Sequence, residues 1–125
     1  MEEGAKPIKW VGSSLGDLRE FPSSVRRAMG LALRAAQDGG RHPSARPMEG
    51  FKGAGVLKIA EDFDGDTYRA VYTVNFREAV YVLHCFQKKS KQGIATPKQD
   101  IDLVKERYRR ALEEHKQWQK QNESK

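Results

Sequence analysis

Three strand-like runs in the middle of the sequence carry the side chains best suited to chemistry. Side chains alternate between the two faces of a strand, so each run divides into two sets. The charged or ring-bearing set is predicted to share one uncovered face of a sheet: Lys58, Arg69, His84, Phe86 and Lys88. The opposite set is apolar and is predicted to pack against helices: Leu57, Ile59, Ala70, Tyr72, Leu83 and Cys85.

The charged face has the groups that RNA binding requires. Lysine and arginine can hold phosphates, Phe86 can stack on a base, and the imidazole of His84 has the chemistry of a proton carrier near neutral pH. A solvated surface explains the same residues, because an antiparallel sheet commonly has one wet face. Alternation alone therefore leaves both interpretations open.

Each candidate also has a structural interpretation. Arg69 could pair across strands with Glu61 or Glu78, a contact worth less than about 1 kcal/mol when it is exposed. His84 could be a histidine that serves only packing and hydrogen bonding, and Lys88 could be the solvated end of a strand. Only the convergence of these residues on one face favours a site.

Turn signals define the strands that carry these residues. Residues 56–63 and 67–74 are rich in β-formers and flank Asp64-Gly65-Asp66, where the Asp-Gly pair is typical of a hairpin. Residues 79–86 form a third strand, which completes an antiparallel meander. A short first strand is predicted at residues 7–11.

Two helical segments precede the meander and one follows it. Residues 14–21 form a brief helix, and residues 22–38 form a longer one whose apolar residues recur at spacings of three and four. Thr96-Pro97-Lys98-Gln99 matches a capping box and starts the last helix.

The predicted order is β-α-α-β-β-β-α. This is an α+β fold, in which a small antiparallel sheet carries an N-terminal helical hairpin on one face and is followed by a C-terminal helix.

The segment between the helices and the meander, residues 39–55, contains five glycines and two prolines and is predicted to be a loop. Loops of this length are more often functional than average. Its cations, Arg46 among them, could contact RNA. A flexible connector is the alternative.

Length and charge limit the classes of function. A chain of 125 residues fits one domain, predicted to span residues 1–125 with loose ends at 1–5 and 116–125. Of the formal net charge of +6, +5 lies from Phe86 to Lys125, where eleven Lys and Arg stand against six Asp and Glu. This concentrated charge favours nucleic acid as a partner, since no apolar run resembles a signal peptide or a membrane span. We expect a cytoplasmic protein in which the single cysteine, Cys85, packs in the core.

The sequence around the meander resembles a known superfamily. TYRAVYTV at 67–74, YVLHCFQKKS at 81–90 and GIATP at 93–97 are similar to the phage-derived, HigB-like branch of the RelE/ParE superfamily. The Tyr-Arg-x-x-Tyr strand agrees with the superfamily as a whole, and the x-Phe-x-Lys-Lys-Ser segment before a Thr-Pro helix start is specific to this branch. The resemblance extends over about residues 6–112.

The resemblance implies a toxin of a type II toxin–antitoxin system, a ribosome-dependent messenger RNA endonuclease that inhibits translation. In such an enzyme the ribose 2′-hydroxyl attacks the adjacent phosphate, so neither a metal nor another cofactor is required. The implied partners are the ribosome, messenger RNA and a cognate antitoxin, a small helix-turn-helix protein.

The resemblance also assigns roles to the charged face. Arg69 matches the strand arginine that would stabilise the pentavalent phosphate, a role that suits a forked guanidinium. His84 is a candidate general acid or base, and Lys88 matches a lysine that would hold or activate the phosphate. The other residues predicted to contact RNA are Lys58, Phe86, Lys89, Lys91 and Arg46.

Two departures from the family pattern leave other functions open. Some members have an arginine near Lys58, and a lysine cannot fork around a phosphate. The chain also lacks a clear C-terminal catalytic tyrosine, since Tyr108 lies in a helix predicted to be remote from the site. The alternatives are a ParE-like, non-enzymatic inhibitor of DNA gyrase and a noncatalytic, phage-derived RNA-binding protein. Arg69, His84 and Lys88 favour RNA cleavage over gyrase binding.

Overall fold

The computed structural model describes residues 5–51, 53–89 and 96–123, which contain eight elements. The helices are α1 (Ser14–Arg19), α2 (Ser23–Gln37) and α3 (Lys98–Glu123). The strands are β1 (Ile8–Trp10), β2 (Arg46–Pro47), β3 (Val56–Phe63), β4 (Asp66–Thr73) and β5 (Val80–Lys89). The predicted order is confirmed, with the two-residue strand β2 added inside the predicted loop. None of the described helices is long and apolar enough to cross a membrane.

The five strands form one sheet in the order β1-β5-β4-β3-β2. Strands β3, β4 and β5 make the predicted antiparallel meander, and Asp64 and Gly65 at the first hairpin both have positive φ. Strand β1 instead pairs parallel with β5, so the sheet is mixed where the sequence predicts an antiparallel one. The chain between β1 and β5 includes both helices of the hairpin, which is ample for the long crossover that parallel pairing needs.

The hairpin of α1 and α2 covers one face of the sheet, as predicted. The buried residues of α2 are Val25, Met29, Ala32, Leu33 and Ala36. They pack with the predicted apolar set of the sheet, including Leu57, Tyr72 and Cys85. Burial raises the pKa of the Cys85 thiol to about 12, so the group is protonated at neutral pH and its packing role is confirmed.

Helix α3 lies against the opposite face, so the prediction that this face is uncovered is wrong. Val104 and Ala111 of α3 join a second buried cluster that includes Val71, Leu83 and Met48. The capping box in the sequence predicted where α3 begins. It did not indicate which surface the helix would cover, because that choice depends on the whole sheet.

A β-bulge in β5 turns Leu83 toward α3, so the prediction that Leu83 packs against the helical hairpin is also wrong. Tyr72 pairs with Val82 and Val71 pairs with His84, which leaves Leu83 as the extra residue. Arg107 Nη1 of α3 donates a hydrogen bond of 2.9 Å to the Leu83 carbonyl oxygen. This bond gives a buried carbonyl in the bulge a donor.

Helix α3 continues to Glu123, beyond the point where the sequence predicts a loose end. His115 is buried, with Nδ1 3.0 Å from Tyr81 Oη and Nε2 2.8 Å from Glu78 Oε1. Trp118 stacks on the His115 ring at a centroid distance of 5.4 Å. The hydrogen bond from His115 lowers the pKa of the Glu78 carboxyl. These contacts attach the second half of α3 to the start of β5.

Gly55 is required where the chain entering β3 passes Asn75. Its φ is +77°, and a Cβ atom there would lie 2.6 Å from Asn75 Cβ and 3.2 Å from the Asn75 backbone nitrogen. We expect Gly55→Ala to lower the free energy of unfolding by about 2 kcal/mol or more, because left-handed strain and a steric clash act together. Urea denaturation measures the change.

Gly53→Ala is the matched control for this prediction. Gly53 has a φ of +72°, but no described atom beyond its own residue and its two neighbours in the chain lies within 4 Å of the Cβ position. Only the backbone strain should remain, at roughly 1 kcal/mol. Equal losses of stability in the two variants would contradict the steric argument.

Candidate functional site

The charged or ring-bearing residues share one face of the sheet, as the alternation of side chains predicts. Because Leu83 is an extra residue in β5, both Leu83 and His84 point to this face. From His84 onward the side chains alternate again, so Phe86 and Lys88 share the face with His84. The register aligns three rows across β3, β4 and β5: Lys58, Val71 and His84; Ala60, Arg69 and Phe86; and Asp62, Thr67 and Lys88.

Arg69 occupies the centre of this face and is only 4% exposed. Its Nη1 atom lies 3.5 Å from Thr96 Oγ1, just before α3 begins. Its cross-strand neighbours are Ala60 and Phe86, whereas Glu61 belongs to the next row, so the register does not favour an Arg69–Glu61 pair. A buried guanidinium on a central strand is held in place, and it would lose little further freedom on binding an anion.

His84 is buried between α3 and the aromatic side chain of Phe86. Its Nε2 atom lies 2.8 Å from Asp100 Oδ1 in the first turn of α3. An ionised carboxylate only accepts hydrogen bonds, so Nε2 carries a hydrogen and donates it. The Nδ1 atom is buried and has no hydrogen-bond partner among the described residues. The Phe86 ring stacks on the imidazole at a centroid distance of 4.5 Å and an angle of 19°.

Lys58 forms an ion pair with Glu49, a residue of the loop that follows β2. Lys58 Nζ lies 2.9 and 3.0 Å from the two Glu49 carboxylate oxygens. The Thr96 hydroxyl lies 3.3 Å from each of these oxygens and 3.5 Å from Lys58 Nζ. Together with the Arg69 contact, these distances join β3, β4, the loop and the start of α3 in one polar network.

The Glu49 carboxyl experiences opposing influences. Partial burial acts to raise its pKa, whereas the hydrogen bond and the charge of Lys58 act to lower it, and the net result is a lowered pKa. Glu49 is therefore ionised at neutral pH. A full negative charge therefore sits on the cationic side of the sheet.

The remaining residues predicted to contact RNA are less central. Lys88 is half-buried at the end of the same face. Lys89 is the last residue of β5, where its backbone is in register with that of Asp66 on β4. Lys91 lies outside the described residues. Arg46 is exposed on β2, and its Nη1 atom donates to the carbonyl oxygens of Pro43 and Ala45 at 2.9 and 3.0 Å.

Three polar residues that the sequence did not single out for chemistry complete the site: Glu49, Thr96 and Asp100. Thr96 was predicted only as a helix cap, yet its hydroxyl contacts Lys58, Glu49 and Arg69. Asp100 lies in the first turn of α3, directly after the predicted capping box, and the sequence did not single it out. Within residues 5–51, 53–89 and 96–123, no group of three or more His, Cys, Asp and Glu is placed to hold a metal ion.

A cavity of about 620 Å³ lies away from this network, between α3 and the segment before β5. Its lining includes Phe76, Glu78, Leu112 and His115 but none of the residues predicted for chemistry. A smaller cleft of about 310 Å³ borders His84 and Phe86 and is also lined by Asp17 and Glu20 of the helical hairpin. The cations themselves lie on the sheet, which suits an extended polyanion better than a small enclosed ligand.

Comparison with known proteins supports the resemblance seen in the sequence. The family described as "Phage derived protein Gp49-like (DUF891)" matches residues 16–109. The fold is similar to that of an arginine double mutant of the E. coli toxin RelE in the free state, with a TM-score of 0.55 and 20% identity over 85% of this chain and 97% of that one. A weaker similarity links it to the RelBE2 toxin–antitoxin complex of Mycobacterium tuberculosis, with a TM-score of 0.44 and 17% identity over 71% and 98% of the two chains. None of the curated proteins compared matches the chain.

Proposed function

The chain belongs to the phage-derived Gp49-like protein family, and from this premise we propose that it is a RelE-type toxin that cleaves messenger RNA on the ribosome. The observation that carries the proposal is the position of Arg69. It is a buried cation at the centre of a face that also holds His84, Phe86 and Lys88. A fixed cation beside a histidine and a ring suits phosphate chemistry on RNA.

The proposed reaction uses the RNA as its own nucleophile. The ribose 2′-oxygen attacks the adjacent phosphorus, a 2′-O–P bond forms and the P–O5′ bond breaks. The products are a 2′,3′-cyclic phosphate and a 5′-hydroxyl, so the reaction balances without water or another reactant. The protein has to position the chain, stabilise the charge of the pentavalent state and move protons.

Arg69 and Lys88 would supply the positive charge. The guanidinium can donate two parallel hydrogen bonds to non-bridging phosphate oxygens, and its rigid position avoids reorganisation during the reaction. Lys88 lies on the same face, two rows from Lys58, and would neutralise the backbone as a point charge.

His84 would take part in proton transfer through Nδ1. Its Nε2 atom is held by Asp100, which leaves Nδ1 as the nitrogen that can exchange a proton with the RNA. A buried nitrogen without a partner is unfavourable, so a hydroxyl that reaches it gains a hydrogen bond. Phe86 would need to move from its stacked position beside His84, and it would then be available to stack on a base.

We also propose a cognate antitoxin as the partner of this chain in the cytoplasm, where the ribosome is found. A small helix-turn-helix protein could inhibit the toxin by covering the cationic face or by wrapping the hairpin of α1 and α2. The concentrated positive charge would favour acidic residues on the segment that covers the face.

The experiment that tests the proposed function is the mapping of messenger RNA 5′ ends in cells after brief induction of the protein. We expect new ends within translated regions, and we expect them to disappear when translation is blocked before induction. Growth arrest with raised DNA-damage signalling and no new ends would replace the proposal with gyrase inhibition. Binding of RNA without cuts would replace it with a noncatalytic role.

A further inference from the structure

An acidic side chain of the protein itself lies on the cationic face. Both carboxylate oxygens of Glu49 are within hydrogen-bond distance of Lys58 Nζ, and both are 3.3 Å from the Thr96 hydroxyl. We propose that Lys58 and Thr96, beside Arg69, form a subsite for a phosphodiester group, and that Glu49 occupies this subsite until RNA displaces it. This inference rests on the proposed function and adds a phosphate site to it.

The Glu49 carboxylate accepts hydrogen bonds that a phosphate in the same place could also accept. A carboxylate and the two non-bridging oxygens of a phosphodiester each carry one negative charge and only accept hydrogen bonds. The ammonium group of Lys58 and the hydroxyl of Thr96 donate to the carboxylate, and a phosphate in its place could accept the same two bonds. The Thr96 hydroxyl also lies 3.5 Å from Arg69 Nη1, so such a phosphate would adjoin the proposed catalytic cation.

The donors are fixed, whereas the acidic occupant can leave. Arg69 and Thr96 are 4% and 6% exposed, and the Lys58 side chain is 16% exposed. The Glu49 side chain is 41% exposed. A partly exposed ion pair on a loop contributes little to stability, so its loss would not disturb the sheet.

The backbone around Glu49 allows this displacement. Met48 anchors one side of the loop, because its N–H donates to the Val56 carbonyl at 2.9 Å and its side chain is buried. Gly50 follows directly and has a φ of +85°, a conformation that only glycine adopts readily. Rotation of the Glu49 side chain, with adjustment at Gly50, would open the subsite without moving β2 or β3.

The occupant assigned to the opened subsite is an RNA phosphate. Lys58 shares a row with His84 and lies one row from Arg69 and Phe86, so the subsite adjoins the other side chains proposed to contact RNA. Glu49 would then compete with the backbone of the RNA. Removing its charge should strengthen the binding of RNA.

The test compares wild-type protein with Glu49→Gln, which keeps the shape and removes the charge. The first probe is a short RNA with 2′-O-methyl groups, which cannot be cleaved, and its binding is followed by fluorescence anisotropy. We expect Glu49→Gln to bind it roughly two- to fivefold more tightly, because an ion pair of this kind no longer has to be broken. Adding Lys58→Met to Glu49→Gln should reverse the gain.

Glu113→Gln is the matched control, because it removes the same charge from an exposed position on α3. Glu113 lies thirteen residues beyond Asp100, or about 20 Å along the helix at about 1.5 Å per residue. The affinity of the Glu113→Gln variant for the RNA should stay near that of the wild type. A similar gain in Glu113→Gln would overturn the proposal, because net charge alone would then explain the effect.

Inorganic phosphate is the second probe, followed by NMR. We expect phosphate to perturb the resonances of Lys58 and Thr96, and to do so at lower concentration in Glu49→Gln. Unchanged affinity for both probes would overturn the subsite even if the protein cleaves messenger RNA. Tighter phosphate binding without tighter RNA binding would overturn the assignment to RNA. If both gains appear but no messenger RNA is cut in cells, the subsite stands and the proposed endonuclease activity fails.

Discussion

Replacing Arg69 with alanine is expected to slow the proposed cleavage of messenger RNA by roughly a hundred- to a thousandfold. The guanidinium is buried, central and held by β4, so it is already in position when negative charge develops on the phosphate. Alanine leaves no donor at this place. The measurement is the single-turnover rate of cleavage in stalled ribosome complexes at saturating toxin.

Two further variants show which property of Arg69 matters. Arg69→Lys keeps the charge and loses the fork, so we expect a rate between those of wild type and Arg69→Ala. Arg109→Ala removes an exposed arginine of α3 and should leave the rate unchanged. Because Arg69 is buried, each variant must also keep a cooperative thermal transition above the assay temperature. A folded Arg69→Ala protein that retains more than about a tenth of the wild-type rate would contradict the catalytic role, since loss of a single such donor ordinarily costs far more.

The elements of the fold were predictable wherever a local pattern was sufficient. The Asp64-Gly65 turn signal between two β-rich runs identified the hairpin of β3 and β4, and the spacing of apolar residues identified the buried side of α2. The parallel pairing of β1 with β5 was not predictable in this way. It joins residues about seventy positions apart, such as Ile8 and Val80, and no local pattern specifies such a pairing.

The sequence was sufficient to predict which side chains share a face of the sheet, but not which of them contact one another. Strict alternation placed Lys58, Arg69 and Phe86 on one side of the sheet, and the register confirms this. Alternation placed Leu83 on the wrong side, because the bulge arises from pairing with β4 and has no signature in the sequence of β5. The roles of these residues stay proposals.

The acidic partners of the site were missed for a physical reason. Glu49 contacts Lys58 because the loop after β2 lies against the sheet. Asp100 contacts His84 because the start of α3 also lies against the sheet. Tertiary packing creates these pairs, whereas sequence patterns report local structure. Glu49 and Asp100 could therefore be identified as partners of the charged residues only from the three-dimensional structure.

Asp100 is expected to affect cleavage through His84, as a positioning residue. In Asp100→Asn the side-chain oxygen can still accept the hydrogen bond from Nε2, so the ring should keep its place. The charge that would stabilise a protonated imidazole is lost. A charge-assisted hydrogen bond exceeds a neutral one by about 1 to 1.5 kcal/mol, which corresponds to a rate lower by roughly tenfold. The maximal single-turnover rate should fall, while the toxin concentration at half-maximal rate should change little.

Asp102→Asn is the matched control for Asp100→Asn, because Asp102 lies on the same turn of α3 but is exposed and pairs with Lys98 at 2.9 Å. The two variants lose the same charge, yet only Asp100 contacts the histidine, so Asp102→Asn should retain the wild-type rate. A double-mutant cycle completes the argument. In a His84→Ala background, Asp100→Asn should cause no further loss, since the group on which it acts is gone. An equal loss with and without His84, or an equal loss from Asp102→Asn, would show that Asp100 contributes only general charge or stability.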